Sequence, residues 1–144
     1  MSMNVRELLS RDVTPELYRE VRELWKAHSI AEDRHDIAGL IATLTPDCVY
    51  EVVGHTGARW EGHAGATQFY VGLLGAFPDI HFDLQQIVIG PQGVCEEATV
   101  TGTHQNKWLS YAPSGTKVEF RVVIFFPWDL RAKRFSGERV FAFL

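Results

Sequence analysis

The sequence predicts an α+β domain with its helices packed on one face of an antiparallel sheet. Helical periodicity is confined to the part of the chain before Phe77-Pro78-Asp79. After that point come runs of strand character, separated by turn signals at Gly90-Pro91-Gln92-Gly93 and Pro113-Ser114-Gly115. The composition fits one core: 144 residues, 46% hydrophobic and 22% charged, with no linker, repeat or low-complexity tract. Residues 1–144 therefore read as a single domain.

Thr14-Pro15-Glu16 opens the first long helix, with Thr14 as cap and proline in the first turn. Leu17, Val21, Leu24, Trp25 and His28 recur at helical spacing and form its buried stripe. Asp36 caps a short second helix through Ile37, Leu40, Ile41 and Leu44, which stops before Thr45-Pro46-Asp47. Cys48 to Val53 reads as a strand, followed by the glycine-rich Gly54-His55-Thr56-Gly57. A third helix is expected near 64–76, with Phe69, Leu73 and Ala76 inward. Phe77-Pro78 ends it, because proline disfavours helical geometry in the residue before it. Strands follow at Ile80–Ile89, Val94–Trp108, Val118–Phe126 and Glu138–Phe143, with Arg131-Ala132-Lys133-Arg134 as a charged hairpin tip.

The formal net charge is −4 and no run of Lys or Arg occurs, so nucleic acid and anionic membrane surfaces are poor partners. No apolar stretch approaches a membrane span, and the first residues lack a signal-peptide block. Cys48 and Cys95 stand apart without metal-ligand or redox spacing, which reads as two buried thiols in a cytoplasmic protein. No phosphate loop, nucleotide-binding glycine pattern or Ser-His-Asp order is present, so any chemistry is expected to need no cofactor.

Candidate chemistry begins with the strand after Gly93. One parity holds Val94, Glu96, Ala98, Val100, Gly102 and His104, and its apolar members turn it toward the core. An inward Glu96 and His104 suggest a lined cavity, since charged groups are rarely buried without partners. They lie roughly 26 Å of extended chain apart at ~3.3 Å per residue, so each needs a partner from elsewhere. His104, with Trp108 nearby, is a candidate general acid or base, or else a strand-end cap bonding a loop carbonyl. Glu96 either points inward or bends to solvent through a bulge.

His28, Glu32 and His63 form a second constellation. Glu32 lies one turn beyond His28 if the helix persists, and His63 follows Trp60. Such a group reads as an acid–base pair, as structural histidines or, with His55 or Asp36, as a metal site, although the spacing enforces no convergence. Tyr50 shares a face with Val52 and offers an inward hydroxyl. Arg121 alternates with Glu119, Val123 and Phe125, which places it on the outer sheet face. Asp79 reads as turn chemistry and Asp83 as exposed strand.

Thr45-Pro46-Asp47-Cys48-Val49-Tyr50, Trp60-Glu61-Gly62-His63, Ala76-Phe77-Pro78-Asp79, Gly102-Thr103-His104 and Pro113-Ser114-Gly115-Thr116 follow one another in order. Over about residues 15 to 143 this succession resembles the SnoaL-like polyketide cyclase family, within the superfamily of nuclear transport factor 2 and ketosteroid isomerase. The resemblance implies a cone-shaped α+β fold: a curved antiparallel sheet with about three N-terminal helices over an apolar cavity. It implies a homodimer packed through the sheet. The cyclases it resembles use a histidine on the penultimate strand and an aspartate on the last. Those positions fall near Ile124–Phe126 and Val140–Ala142, all apolar here. The Arg and first Asp of the epoxide hydrolase constellation fall near Ala98 and Val100. Members of the family often continue past the last strand, so a carboxylate beyond Leu144 is a third source of a missing group.

Two functions are therefore expected from this fold. One is a cofactor-independent enzyme moving protons on an apolar, oxygen-bearing small molecule, by isomerisation, cyclisation, dehydration or hydrolysis. Its acid–base groups would be His104, His63 and Glu96; Tyr50, Trp108, His28, Glu32 and Trp60 would line the ligand site, without a metal. The other is a non-catalytic module that binds a hydrophobic ligand or docks a protein.

Overall fold

A computed structural model describes residues 4–144. A short helix α1 (Val5–Leu9) precedes α2 (Pro15–Asp33), α3 (Ile37–Ile41), β1 (Leu44–Val52), β2 (Arg59–Glu61) and α4 (Gly62–Ala76). Then come β3 (His81–Gly90), β4 (Gly93–Thr103), β5 (Lys117–Asp129) and β6 (Arg134–Phe143). The strands form one sheet in the order β2-β1-β6-β5-β4-β3. All neighbours are antiparallel except β1 and β6, which run parallel. The curved sheet and the helices on its inner face make the cone-like α+β architecture.

Local chemistry places the helices. Thr14 accepts a hydrogen bond from the Leu17 amide and Pro15 occupies the first turn of α2. That helix persists to Asp33, with Val21, His28 and Ala31 buried, so Glu32 stands one turn beyond His28 on the same side. Asp36 caps α3 through the Gly39 amide, and this helix ends at Ile41, one turn earlier than the apolar pattern suggests. Thr43 closes that end by donating its hydroxyl to the Leu40 carbonyl at 2.7 Å. The inner stripe of α4 is wider than three residues: Gly65, Ala66, Phe69, Tyr70, Leu73 and Ala76 are all buried.

The sheet departs from the sequence reading at its ends. β1 starts at Leu44, ahead of Pro46, because the pairing with β6 is irregular between Leu44 and Val49 and tolerates a residue without an amide proton. β4 ends at Thr103 rather than Trp108; beyond it His104 still exchanges backbone bonds with Thr116 and Gly115. Register with β5 is unbroken from Gly93 to Thr103, so Glu96 stays on the inner face and no bulge turns it to solvent.

β6 begins at Arg134, before the expected Glu138, and carries the irregularity that matters most. Phe135 and Glu138 are both buried although three residues apart, so the alternation changes parity between them. The change is made at Gly137, whose φ is +130°. Its α-carbon packs so closely on the Val49 carbonyl that a side chain would overlap it. Downstream, Glu138 and Val140 face inward while Arg139 faces solvent. Cys48 is buried, whereas Cys95 is only half-buried on the outer face. Arg121, also on the outer face, is exposed and pairs with Glu97 at 3.2 Å. No helix among the described residues is long and apolar enough to cross a membrane.

Candidate functional site

The inner face converges on Glu138. Register places Tyr50 of β1 opposite it, and α2 and α4 lay His28 and Tyr70 over the same point. Tyr70 donates to Glu138 Oε2 at 2.7 Å and Tyr50 donates to the same oxygen at 2.9 Å. His28 Nε2 lies 3.0 Å from that oxygen and 3.2 Å from the Tyr70 hydroxyl, and the two hydroxyls are 2.7 Å apart. His28 and Glu138 are each only 2% exposed.

The protons in this cluster can be counted. Thr43 gives its only hydroxyl proton to Leu40, so at 2.8 Å from His28 Nδ1 its oxygen must accept, and Nδ1 carries hydrogen. The two phenolic hydroxyls, His28 Nε2 and Glu138 Oε2 make five close contacts with one another. Burial, and next the Glu138 charge, push both tyrosine hydroxyls well above their usual pKa, so they remain donors. Every hydrogen bond to Glu138 falls on Oε2, which leaves Oε1 without a protein donor among the described residues.

Glu138 lines a narrow apolar cavity of about 30 Å³. Phe69, Leu73, Val100, Trp108 and Val122 form part of its wall, and Glu32 is its second carboxylate. A space of this size takes a single water-sized group. Burial pushes the Glu32 carboxyl well above its ordinary value, reinforced by Glu138, Glu96 and Asp33. Glu96 is 8% exposed and is pushed up to about 8, first by burial and then by Glu138. One cavity therefore meets a carboxylate supplied with donors and a carboxyl whose surroundings favour its protonated form.

A larger open pocket, about 670 Å³, lies outside this cavity. Phe69 and Trp108 line both spaces and form the partition between them. Trp60 packs edge-on against Phe69 at 5.1 Å and lines the outer pocket. Trp108 stacks on Phe120, with 6.0 Å between ring centroids, and is held by a two-residue turn to Tyr111. Leu109 in that turn adopts a φ of +54°.

Of the residues the sequence singled out, His28, Tyr50, Glu32, Trp108 and Trp60 come to these two spaces or to the cluster behind them. His104 and His63 do not. His104 is buried at the strand end, stacked on Phe77 at 4.8 Å, and lines neither space. His63 sits in the first turn of α4, exposed, with Nε2 at 3.1 Å from the Leu44 carbonyl. Glu96 shares the inner face without lining the cavity. Sequence reasoning missed Glu138 and Tyr70. Glu138 was detectable: it shares strand parity with Val140 and Ala142, where the last-strand carboxylate was sought. Among the described residues no group of three or more His, Cys, Asp or Glu side chains is placed to hold a metal ion.

With this geometry in place, comparison with known proteins gives the family. Residues 21–134 match the profile of the SnoaL-like domain. The chain belongs to that family. A candidate SnoaL-like polyketide cyclase from Jannaschia sp. CCS1 superimposes with a TM-score of 0.74 at 21% identity, covering 92% of this chain and 91% of the other. AclR from Streptomyces galilaeus, described as a candidate hydroxylase, gives 0.69 at 24% identity, covering 88% and 90%. An LEH-like epoxide hydrolase from M. tuberculosis gives 0.67 at 22% identity, covering 90% and 86%. At these identities the SnoaL-like chain and its neighbours share a fold. No curated protein matches this chain.

Proposed function

We propose that this SnoaL-like chain is an enzyme that moves protons, without a cofactor, on an apolar, oxygen-bearing small molecule. The observation that carries the reading is the pair Glu138 and Glu32 on one apolar cavity, the first held by three hydrogen-bonding neighbours and the second pushed well above its ordinary pKa by burial. Glu138 acts as base through Oε1, taking a proton from substrate carbon or from water. Tyr50, Tyr70 and His28 hold its other oxygen. Glu32, whose burial favours the protonated form, returns a proton to the oxygen where negative charge develops. One proton leaves the substrate and one enters, so isomerisation, cyclisation, dehydration and hydrolysis all balance. The neighbours described as a polyketide cyclase and an epoxide hydrolase support this range.

The narrowness of the inner cavity favours a second reading, a non-catalytic binder whose ligand stays outside the aromatic partition. Assembly follows the same reasoning: Val88, Phe125 and Phe143 are exposed on the outer sheet face and support a homodimer through it.

A panel of epoxides, enolisable cyclic ketones and aromatic polyketides discriminates the two. On the enzyme reading at least one class is turned over, and Glu138→Gln and Glu32→Gln each lower kcat by ~10²–10⁴ with far-ultraviolet dichroism unchanged. Thermal stabilisation by a compound in the panel, with no turnover of any, gives the binder.

A further inference from the structure

The outer pocket has a charge character opposite to that of the cavity behind it. No Asp or Glu lines it, in a chain with 18 acidic residues and a net charge of −4. Its one formal charge is Lys107, an exposed ammonium with no ion-pair partner among the described residues. His55, whose Nε2 is 3.4 Å from the Tyr111 hydroxyl, is the only other titratable group on its wall. The apolar part of the wall is aromatic, with the Trp60 and Phe69 planes 70° apart. Trp60, Phe69 and Trp108 present rings, while Gly54, Gly57 and Gly72 present no side chain at all. Gly54 and Gly57 take φ values of +84° and +73°, so the β1–β2 turn needs glycine there and keeps that rim low.

From this asymmetry we infer that the outer pocket recognises a carboxylate on an aromatic ligand, with Lys107 as the residue that selects it. The inference rests on the reading of Glu138 and Glu32 as the reacting pair. It adds which end of the substrate stays outside. An anionic group driven into the inner cavity would face Glu138 in a poorly solvated space, where like charges repel strongly. The same group in the outer pocket meets an unpaired ammonium and water. The size of the two spaces points the same way, because about 670 Å³ accommodates a ring system and about 30 Å³ accommodates one reacting substituent. A substrate is thus held carboxylate-outward, its body on the rings and its reactive end directed past Phe69 and Trp108.

The test uses 2-naphthoate and its uncharged counterpart 2-naphthamide, titrated calorimetrically into the full chain at low and at 0.5 M salt. Naphthoate is expected to bind about threefold to fivefold tighter than naphthamide at low salt, the scale of an exposed ion pair, with the preference reduced at high salt. Lys107→Gln should bring the two ligands to equal affinity. A β-carbon at Gly72 meets nothing within 4 Å, so Gly72→Leu extends a side chain at the pocket wall and should weaken both ligands. Calorimetry reads binding of ligands that need not react, so failure of the proposed chemistry leaves this binding result untouched. Equal affinity of both ligands for the wild type overturns the inference. So does a naphthoate preference that survives Lys107→Gln, or naphthoate binding unchanged by Gly72→Leu, or no binding of either ligand.

Discussion

His28 Nε2 and Glu138 Oε2 stand 3.0 Å apart in the interior, joining the longest helix to the last strand. Neither residue is open to bulk solvent, and the ring is fixed from behind by Thr43. Removing His28 takes one of three partners from the buried Glu138 Oε2 and leaves a cavity beside it. His28→Ala is expected to destabilise the fold by ~3–5 kcal/mol in urea unfolding, far more than a cavity-neutral surface change. The Thr43 contact places hydrogen on Nδ1: long-range ¹⁵N–¹H spectra should show it there wherever the protein is folded. A bare Nδ1 would contradict the proton count given by Thr43.

Glu96 gives a pH dependence with a definite sign. Its folded pKa is about 8, above the ordinary carboxyl value of 4.5, so the folded state holds a proton that the unfolded state has released between those limits. Stability should therefore fall as pH rises from about 4.5 to 8, by up to ~1.4 kcal/mol per unit from this group. Glu96→Gln keeps the shape and removes the titration. The variant should exceed the wild type in stability at pH 8 and lose that advantage toward pH 5. Parallel melting curves for the two proteins across this range would refute the assignment.

Gly137→Ala meets both a φ of +130° and the Val49 carbonyl. A loss of about 3 kcal/mol or more is expected. Gly72→Ala, on an open helix face, is expected to be neutral or slightly stabilising. Similar melting temperatures for the two alanine variants would show that the β6 irregularity is not held by this contact.

His104→Ala and His63→Ala should leave turnover intact. The first removes a ring stacked on Phe77 and lowers stability, while the second removes one bond to the Leu44 carbonyl. A hundredfold loss of kcat in either variant, with the fold preserved, would move the acid–base chemistry away from Glu138.

These outcomes bear on how far the residues announced the site. The helices were legible because Val21 and His28, or Phe69 and Leu73, repeat with the period of a buried helix face, and the hairpins because glycine and proline punctuate them. His28 and Glu32 were legible as a pair for the same reason. Glu138 was legible only from its downstream parity with Val140 and Ala142, since a one-residue irregularity breaks the alternation between it and the strand's start at Arg134. Tyr70 was hidden beside Phe69, because a helix stripe four residues wide looks narrower when only its most apolar members are counted. The outer pocket is assembled from the β1–β2 turn, α4 and the segment around Trp108, and no local pattern links those three.

The glycine kink in the final ribbon decides which chemistry the interior contains. Were the chain to run straight through Ser136 and Gly137, a guanidinium would occupy the greasy centre and the acid would hang in solvent. Helices, length and composition would be unchanged, yet the reactive oxygen would be gone. One atom-sized vacancy in a side chain thus stands between a scaffold that can do acid–base work and an inert copy of it.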